Sequence, residues 1–363
     1  MSSIQLGVVI ITTCMGDQIM FDPRALIASA EHAAWLSVII GGVIFYVAIC
    51  LMLKLGTQYP GETLVEYAPR LFGRLGGSVV IFWFNLLLFL QSIQIFSGIG
   101  KVITFYMFDR TPPEVVILAL LVVSTYCALQ DWGTILRVLQ IMFFLAHSMF
   151  TVVWMTSILM LQPENLLPLW PINTKVMIRE AFSTWSMFNG YEVVLILLPL
   201  VSRKATFAKL AKVSGWVFAY MISFLLLIII IIIGVLTVEN AKNVIYPVLT
   251  VIRSVELPGT FIERLENYLL LAWIPTIFDS LVVMMFIMGQ VSMRHYHYAD
   301  HRPWVLALVP IIYVGSVFLE TYQVYDAVSK FTLWGGLGFT FGVVPLSLLL
   351  SWRKKRTVLT GCG

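Results

Sequence analysis

Residues 181–199 read AFSTWSMFNGYEVVLILLP. A stretch this long and apolar approaches the roughly 20 residues that carry a helix across a 30 Å hydrocarbon core. Its centre breaks the pattern. Asn189, Gly190 and Glu192 stand where a lipid-facing helix carries apolar side chains. A carboxylate at that depth costs about 2.5–3.5 kcal/mol even on the lenient insertion scale. The segment therefore reads as a helix unwound at Asn189–Gly190, with its freed backbone turned to the protein interior or to water.

Residues 4–23, IQLGVVIITTCMGDQIMFDP, show the same anomaly, with Thr12, Thr13, Gly16 and Asp17 at the centre. Ten apolar segments can be drawn, at about 4–28, 33–55, 78–107, 113–130, 132–161, 178–200, 207–238, 266–291, 303–320 and 331–352. The two interrupted segments open the first and second sets of five. Interruptions at corresponding positions of two halves point to an inverted-repeat transporter fold with a binding site near the midplane. The expectation is one polytopic domain over residues 1–363, with repeats at about 4–161 and 178–352 and a basic tail at 353–363.

The composition agrees. Of 363 residues, 60% are hydrophobic and 12% charged, against roughly 45–50% and about 25% in soluble domains. Disorder is excluded by the same figures. The net charge of +4 is small, and no basic run lies on a polar, aromatic-studded domain, so nucleic acid is not an expected partner. Cys14, Cys50, Cys127 and Cys362 lie too far apart in sequence to read as a disulfide framework or a zinc site. No nucleophile elbow, Walker loop, HExxH or GxGxxG is present, so neither an enzyme nor a cofactor is expected. The first apolar stretch lacks a basic lead and a small-residue cleavage site, and reads as a retained helix.

Lys and Arg set the orientation. The side of the termini holds Lys54, Arg70, Arg74, Arg203, Lys204, Lys209, Lys212, Arg294, Arg302 and the Arg353–Arg356 cluster, against nine residues opposite. The positive-inside rule places both termini in the cytoplasm. Two loops read as structured: 56–76, amphipathic on the cytoplasmic face, and 239–265, short helices over the outer face.

Unwinding at Gly16 frees N–H groups at the start of a half-helix, which suits a carboxylate. Unwinding at Asn189–Gly190 frees carbonyls, which suits an ammonium or a cation. Together they fit a zwitterionic amino acid. The candidate ligand-binding residues are Thr13, Cys14, Met15, Gly16, Gln91, Trp185, Phe188, Asn189 and Gly190. Glu192 and Asp279, both within apolar segments, are candidates for proton or ion coupling. Asp17 reads as nearer the outer mouth. Plainer alternatives stand beside these: a kink or close packing at glycine, and helix-to-helix bonds by Gln91, Ser92 and Gln94. His147 and the Gly338–Gly342 pair read as packing, and His295, His297 and His301 as interface residues, so no metal is expected.

At this level of detail the chain resembles the B subunit of bacterial spore germinant receptors, the endospore germination permease family of the amino acid–polyamine–organocation superfamily. Gly16, Ile19 and Pro23 match its G-x-x-I-x-x-x-P, and AEHAAWLSVIIGG (30–42) resembles its A-x-x-D-A-W-x-S-x-x-x-G block. YPGETLVEYAPRLFGRLGG (59–77) carries the P-x-x-T-L-V-E-Y signature. TPPEVVILALLVVSTY (111–126), NLLPLWP (165–171), YPVLTVIRSVELPGTFIERLE (246–266) and SWRKKR (351–356) also fit, in order. Glu31-His32 departs from the common Gln-Asp, and Asp17 is unusual beside the glycine.

The resemblance implies an all-α membrane protein of the LeuT-like type: about ten helices in two inverted five-helix repeats, helices one and six broken. Its site would lie between segments one, three, six and eight. FNGYE (188–192) resembles the superfamily's F-x-G-F/Y-D/E, which gives Phe188, Gly190 and Glu192 the amine-binding and proton-coupling roles and residues 13–16 the carboxylate. It further implies an A subunit, a lipoprotein C subunit, residence in the spore inner membrane, and a small germinant such as an amino acid whose binding triggers germination. The rivals are a proton- or cation-coupled amino-acid permease and a structural subunit with a vestigial cavity.

Overall fold

The computed structural model describes residues 1–16, 18–108, 110–168, 170, 173–202, 205–254, 265–319 and 321–360. Asp17, the Arg203–Lys204 pair, residues 255–264 of the outer loop and residues 361–363 of the tail lie outside them. Among the described residues all regular structure is helical.

The first apolar segment forms two helices, α1 (Ser3–Cys14) and α2 (Gln18–Ala30). Ser2 and Gln5 start α1 with a reciprocal capping box. The helix stops at Met15, whose N–H still donates to Ile11 O at 3.0 Å. After one tight turn at 31–33, α3 (Ala34–Thr57) runs unbroken.

The signature segment then explains itself. Thr63 caps α4 (Leu64–Tyr106), and the Glu66 carboxylate accepts from the Thr63 backbone and hydroxyl. Tyr59 stacks on Tyr67 at 4.8 Å. At Gly73 (φ 77°, ψ 171°) the chain turns, so the first two turns of α4 form the expected amphipathic helix and the remainder is the third span. The helices α5 (Pro113–Ala128) and α6 (Trp132–Ile158) follow.

The sixth segment is the most interrupted. Helix α7 (Thr174–Ser183) tightens into a 3₁₀ turn at Thr184–Phe188. Gly190 takes the left-handed conformation, and a second 3₁₀ turn (Tyr191–Val193), α8 (Val194–Leu197) and a third (Leu198–Leu200) complete the crossing. Next come α9 (Phe207–Asn243), bent at Thr237, and the short α10 (Pro247–Arg253). The chain ends in α11 (Leu265–His295), α12 (Arg302–Phe318), α13 (Tyr322–Gly338), a π turn at Phe339–Val343 and α14 (Val344–Thr360).

All ten expected segments are helical. The last is longer than its apolar stretch, because α13 begins at Tyr322. Asp326 and Lys330 pair at 2.6 Å one turn apart on an exposed face, so charges that read as a loop instead support the helix. Among the described residues six helices are long and apolar enough to cross a membrane, and shorter apolar helices accompany them. Large apolar side chains such as Phe82, Phe144, Met155 and Trp334 face outward. In a chain with this composition that outward surface belongs to lipid.

Packing sorts the helices into two groups. The first joins α2, α3, α7 and α9. The second joins α4, α5, α11 and α12, with α6 packed on α11. Helix α1 bridges them, touching α9 on one side and α11 on the other. The two discontinuities lie at this seam.

Candidate functional site

The two breaks touch. Gly190 has φ 100°, and a Cβ there would stand 2.9 Å from the carbonyl oxygen of Thr13. Only glycine meets both demands, since it alone carries no Cβ into a left-handed conformation. Gly16 is confined by a side chain: a Cβ would lie 2.5 Å from Ser280 Oγ.

Helix α11 supplies the main-chain bonds that the first break lost. The Ser280 hydroxyl donates to Thr12 O at 2.8 Å, and Trp273 Nε1 donates to Gly16 O at 2.6 Å. At the second break the Gly190 N–H donates to Glu192 Oε2 at 2.9 Å. Irregular backbone at membrane depth is tolerated only where such partners or water replace the helical ladder.

A polar cavity of about 40 Å³ lies at the seam. The bridging α1 contributes Thr13, the first group Asp22 and Asn189, and the second Gln91, Gln94 and Met284. Helix α13 closes it with Tyr325, Ser329 and Thr332. Thr332 donates to Gln94 Oε1 at 3.1 Å, tying α13 to α4. The space exceeds the roughly 10–15 Å³ that holding one water requires, so it admits water.

The wall is not satisfied by the protein. Both side-chain amide atoms of Gln91, and Oδ1 of Asn189, are buried without a hydrogen-bond partner. A desolvated polar group left unpaired costs about 1–3 kcal/mol. Three such atoms around one small cavity are left to bond water or another polar group.

Of the expected ligand residues, Thr13, Gln91 and Asn189 line this cavity. Gly190 stands behind Thr13 and shapes the seam rather than the wall. Cys14, Met15 and Gly16 are buried at the break without lining the cavity, Gly16 being turned toward Ser280. Trp185 and Phe188 face the other way. Phe188 stacks on Phe45 at 4.8 Å, and Trp185 meets Tyr191 edge-on at 5.2 Å.

Glu192 is 1% exposed and lies beside Gln91, just outside the cavity. Gln91 and Glu192 interact electrostatically, but their atoms do not reach hydrogen-bond geometry. Glu192 Oε1 has no partner and looks toward Gly336 of α13, as does the unpartnered Trp185 Nε1. Asp279 is fully buried, with neither carboxylate oxygen partnered. It sits away from the cavity, one residue before Ser280 and within electrostatic reach of Cys127 on α5.

The sequence reading missed the wall formed by α13, and with it Asp22 and Met284. A signal was present: Tyr325, Ser329 and Thr332 recur at i, i+4 and i+7, one face of a helix.

Comparison with known proteins agrees with this anatomy. A family model described as "Spore germination protein" matches residues 1–324. Spore germination protein YndE of Bacillus subtilis (strain 168) is 25% identical over 359 residues, covering 97% of this chain and 96% of that protein. Spore germination protein B2 of the same organism is 26% identical, covering 97% and 95%. Among solved structures, MhsT in complex with L-phenylalanine superposes with a TM-score of 0.73 at 13% identity, covering 96% of this chain and 97% of MhsT. That likeness makes the architecture the LeuT fold. With ten helical segments in that arrangement and a family model spanning most of its length, the chain belongs to the spore germination protein family.

Proposed function

We propose that this chain is the membrane subunit of a spore germinant receptor. A small germinant, in our reading an amino acid, binds at the seam and signals to partner subunits to trigger germination. The observation that carries the proposal is the set of unpartnered atoms on Gln91 and Asn189 around a cavity between two broken helices. In this scheme the ligand carboxylate is taken by the N–H of Gly16, the first beyond the Met15 N–H that Ile11 O already holds. Carbonyls at 188–190, with Asn189 and Gln91, take its amine. Cys14, Met15 and Gly16 act through backbone, while Trp185 and Phe188 hold the break in place.

Size supports sensing. At about 40 Å³ the cavity admits little more than water, too little for the five heavy atoms of glycine, so binding requires the two helix groups to shift. A ligand that favours one arrangement moves the equilibrium by its differential affinity. The receiving partners are an A subunit and a lipoprotein C subunit in the spore inner membrane, with both termini of this chain cytoplasmic, as the Lys and Arg distribution predicts. Each helix group draws on both repeats, 4–161 and 178–352, so the motion is of one mixed group against the other.

A second reading rests on Glu192 and Asp279. Buried carboxylates with unpartnered oxygens suit proton or cation coupling in an amino-acid permease. Purified protein in liposomes separates the two. Saturable ligand binding without counterflow of labelled amino acid supports the receptor, whereas robust counterflow overturns it in favour of the permease.

A further inference from the structure

A second groove opens where the amphipathic start of α4 meets the end of α11, on the side of the chain that carries both termini. Its volume is about 1060 Å³, and its polar lining includes Arg74, Ser78, Arg294, His295 and His297. Glu66 is its acidic member, and that carboxylate is already engaged. Oε1 accepts from Arg294 Nη1 at 2.8 Å, and Oε2 accepts from Thr63. Arg294 Nε is buried with no partner. Arg74 is exposed, so the groove offers uncompensated positive charge.

The surroundings place this charge at a membrane surface. Tyr296 and Tyr298 on the groove wall are exposed, and both meet the Trp304 ring, Tyr296 stacked on it at 4.9 Å. Tyr and Trp collect at the depth of lipid headgroups. Directly after Arg74, Leu75 (83% exposed), Val79 (58%) and Phe82 (68%) form an outward apolar stripe at i, i+4 and i+7. A phosphodiester over Arg74 and Ser78 would send its acyl chains along this stripe. A free phosphate makes no use of it.

We infer that the groove between α4 and α11 is a binding site for the headgroup of an anionic phospholipid from the adjacent leaflet. Arg74 supplies the charge, Arg294 being paired with Glu66, and Leu75, Val79 and Phe82 receive the chains. Basic pockets between membrane helices on the cytoplasmic side recognise such headgroups. The lipid fastens the amphipathic helix to the end of α11, a helix that also supplies Ser280 and Trp273 to the first break. This inference is independent of the choice between receptor and permease.

Native mass spectrometry of the full chain in detergent tests it, with phosphatidylglycerol and phosphatidylcholine of identical chains as probes. Wild-type protein should retain the anionic lipid at least about fivefold better, the discrimination expected of one basic residue near the surface. Arg74→Gln should lose that preference and Arg74→Lys keep it, while glycerophosphoglycerol and inorganic phosphate should not compete. Equal retention of the two lipids overturns the inference, and is the result expected of a groove kept for an acidic protein segment. An unchanged Arg74→Gln, or displacement by free phosphate, overturns it as well. If Arg74→Gln does not yield monodisperse protein, the wild-type lipid comparison decides alone.

Discussion

The backbone N–H of Gly190 donates to the side chain of Glu192 at 2.9 Å. The carboxylate thus caps the break that its own helix creates. One oxygen is fixed to the unwound turn, and the other has no partner. An acid just outside the cavity is therefore tied to the element whose geometry a ligand would change.

Glu192→Gln tests that link. The amide retains an oxygen to accept from Gly190, so the variant should fold with a melting temperature within a few degrees of wild type. Its ligand response should nevertheless change, because the group beside Gln91 can no longer take up or release a proton. A wild-type dose–response curve, measured across the pH range of germination, would remove Glu192 from the mechanism.

Gly190→Ala should be far more damaging than its single methyl group implies. The left-handed conformation costs a non-glycine residue about 1–2 kcal/mol, and the new Cβ would meet Thr13 O at 2.9 Å. The expected result is a clear drop in melting temperature together with loss of germinant response. A response retained at normal protein levels would favour the purely structural subunit.

Gln91→Leu should do the reverse. The change removes two buried amide atoms that have no partner, each a liability of about 1–3 kcal/mol. Stability in detergent should hold or rise while ligand binding is lost. A destabilised Gln91→Leu would mean that the amide is a packing residue, bonded in a way this account does not include.

Thr332→Val tests the wall contributed by α13. Loss of the 3.1 Å bond to Gln94 should cost about 1 kcal/mol and weaken ligand binding, with no effect on membrane insertion. An unchanged affinity would place the ligand elsewhere along the seam.

Much of this was legible in the sequence. Each crossing announces itself as an apolar run because lipid accepts no unpaired backbone. The breaks announce themselves because Thr12, Thr13, Gly16, Asn189 and Gly190 are poor residues for a lipid-facing helix. Facing was harder to read. Trp185 and Phe188 are as apolar as any ligand-contacting ring, and only packing turns Phe188 onto Phe45. The wall at Tyr325, Ser329 and Thr332 was hidden because Asp326 and Lys330 interrupt the apolar pattern there. Their pairing on the exposed face of α13 is a tertiary fact that hydropathy does not carry.

The most direct test is the thermal stability of the detergent-solubilised protein with amino acids, nucleosides and sugars, wild type beside Gln91→Leu. A ligand at 100 times its Kd stabilises the native state by about 2.7 kcal/mol. The account predicts a saturable rise in melting temperature with one chemical class, expected to be amino acids, in wild type alone. No rise with any compound, or an equal rise in Gln91→Leu, would contradict it.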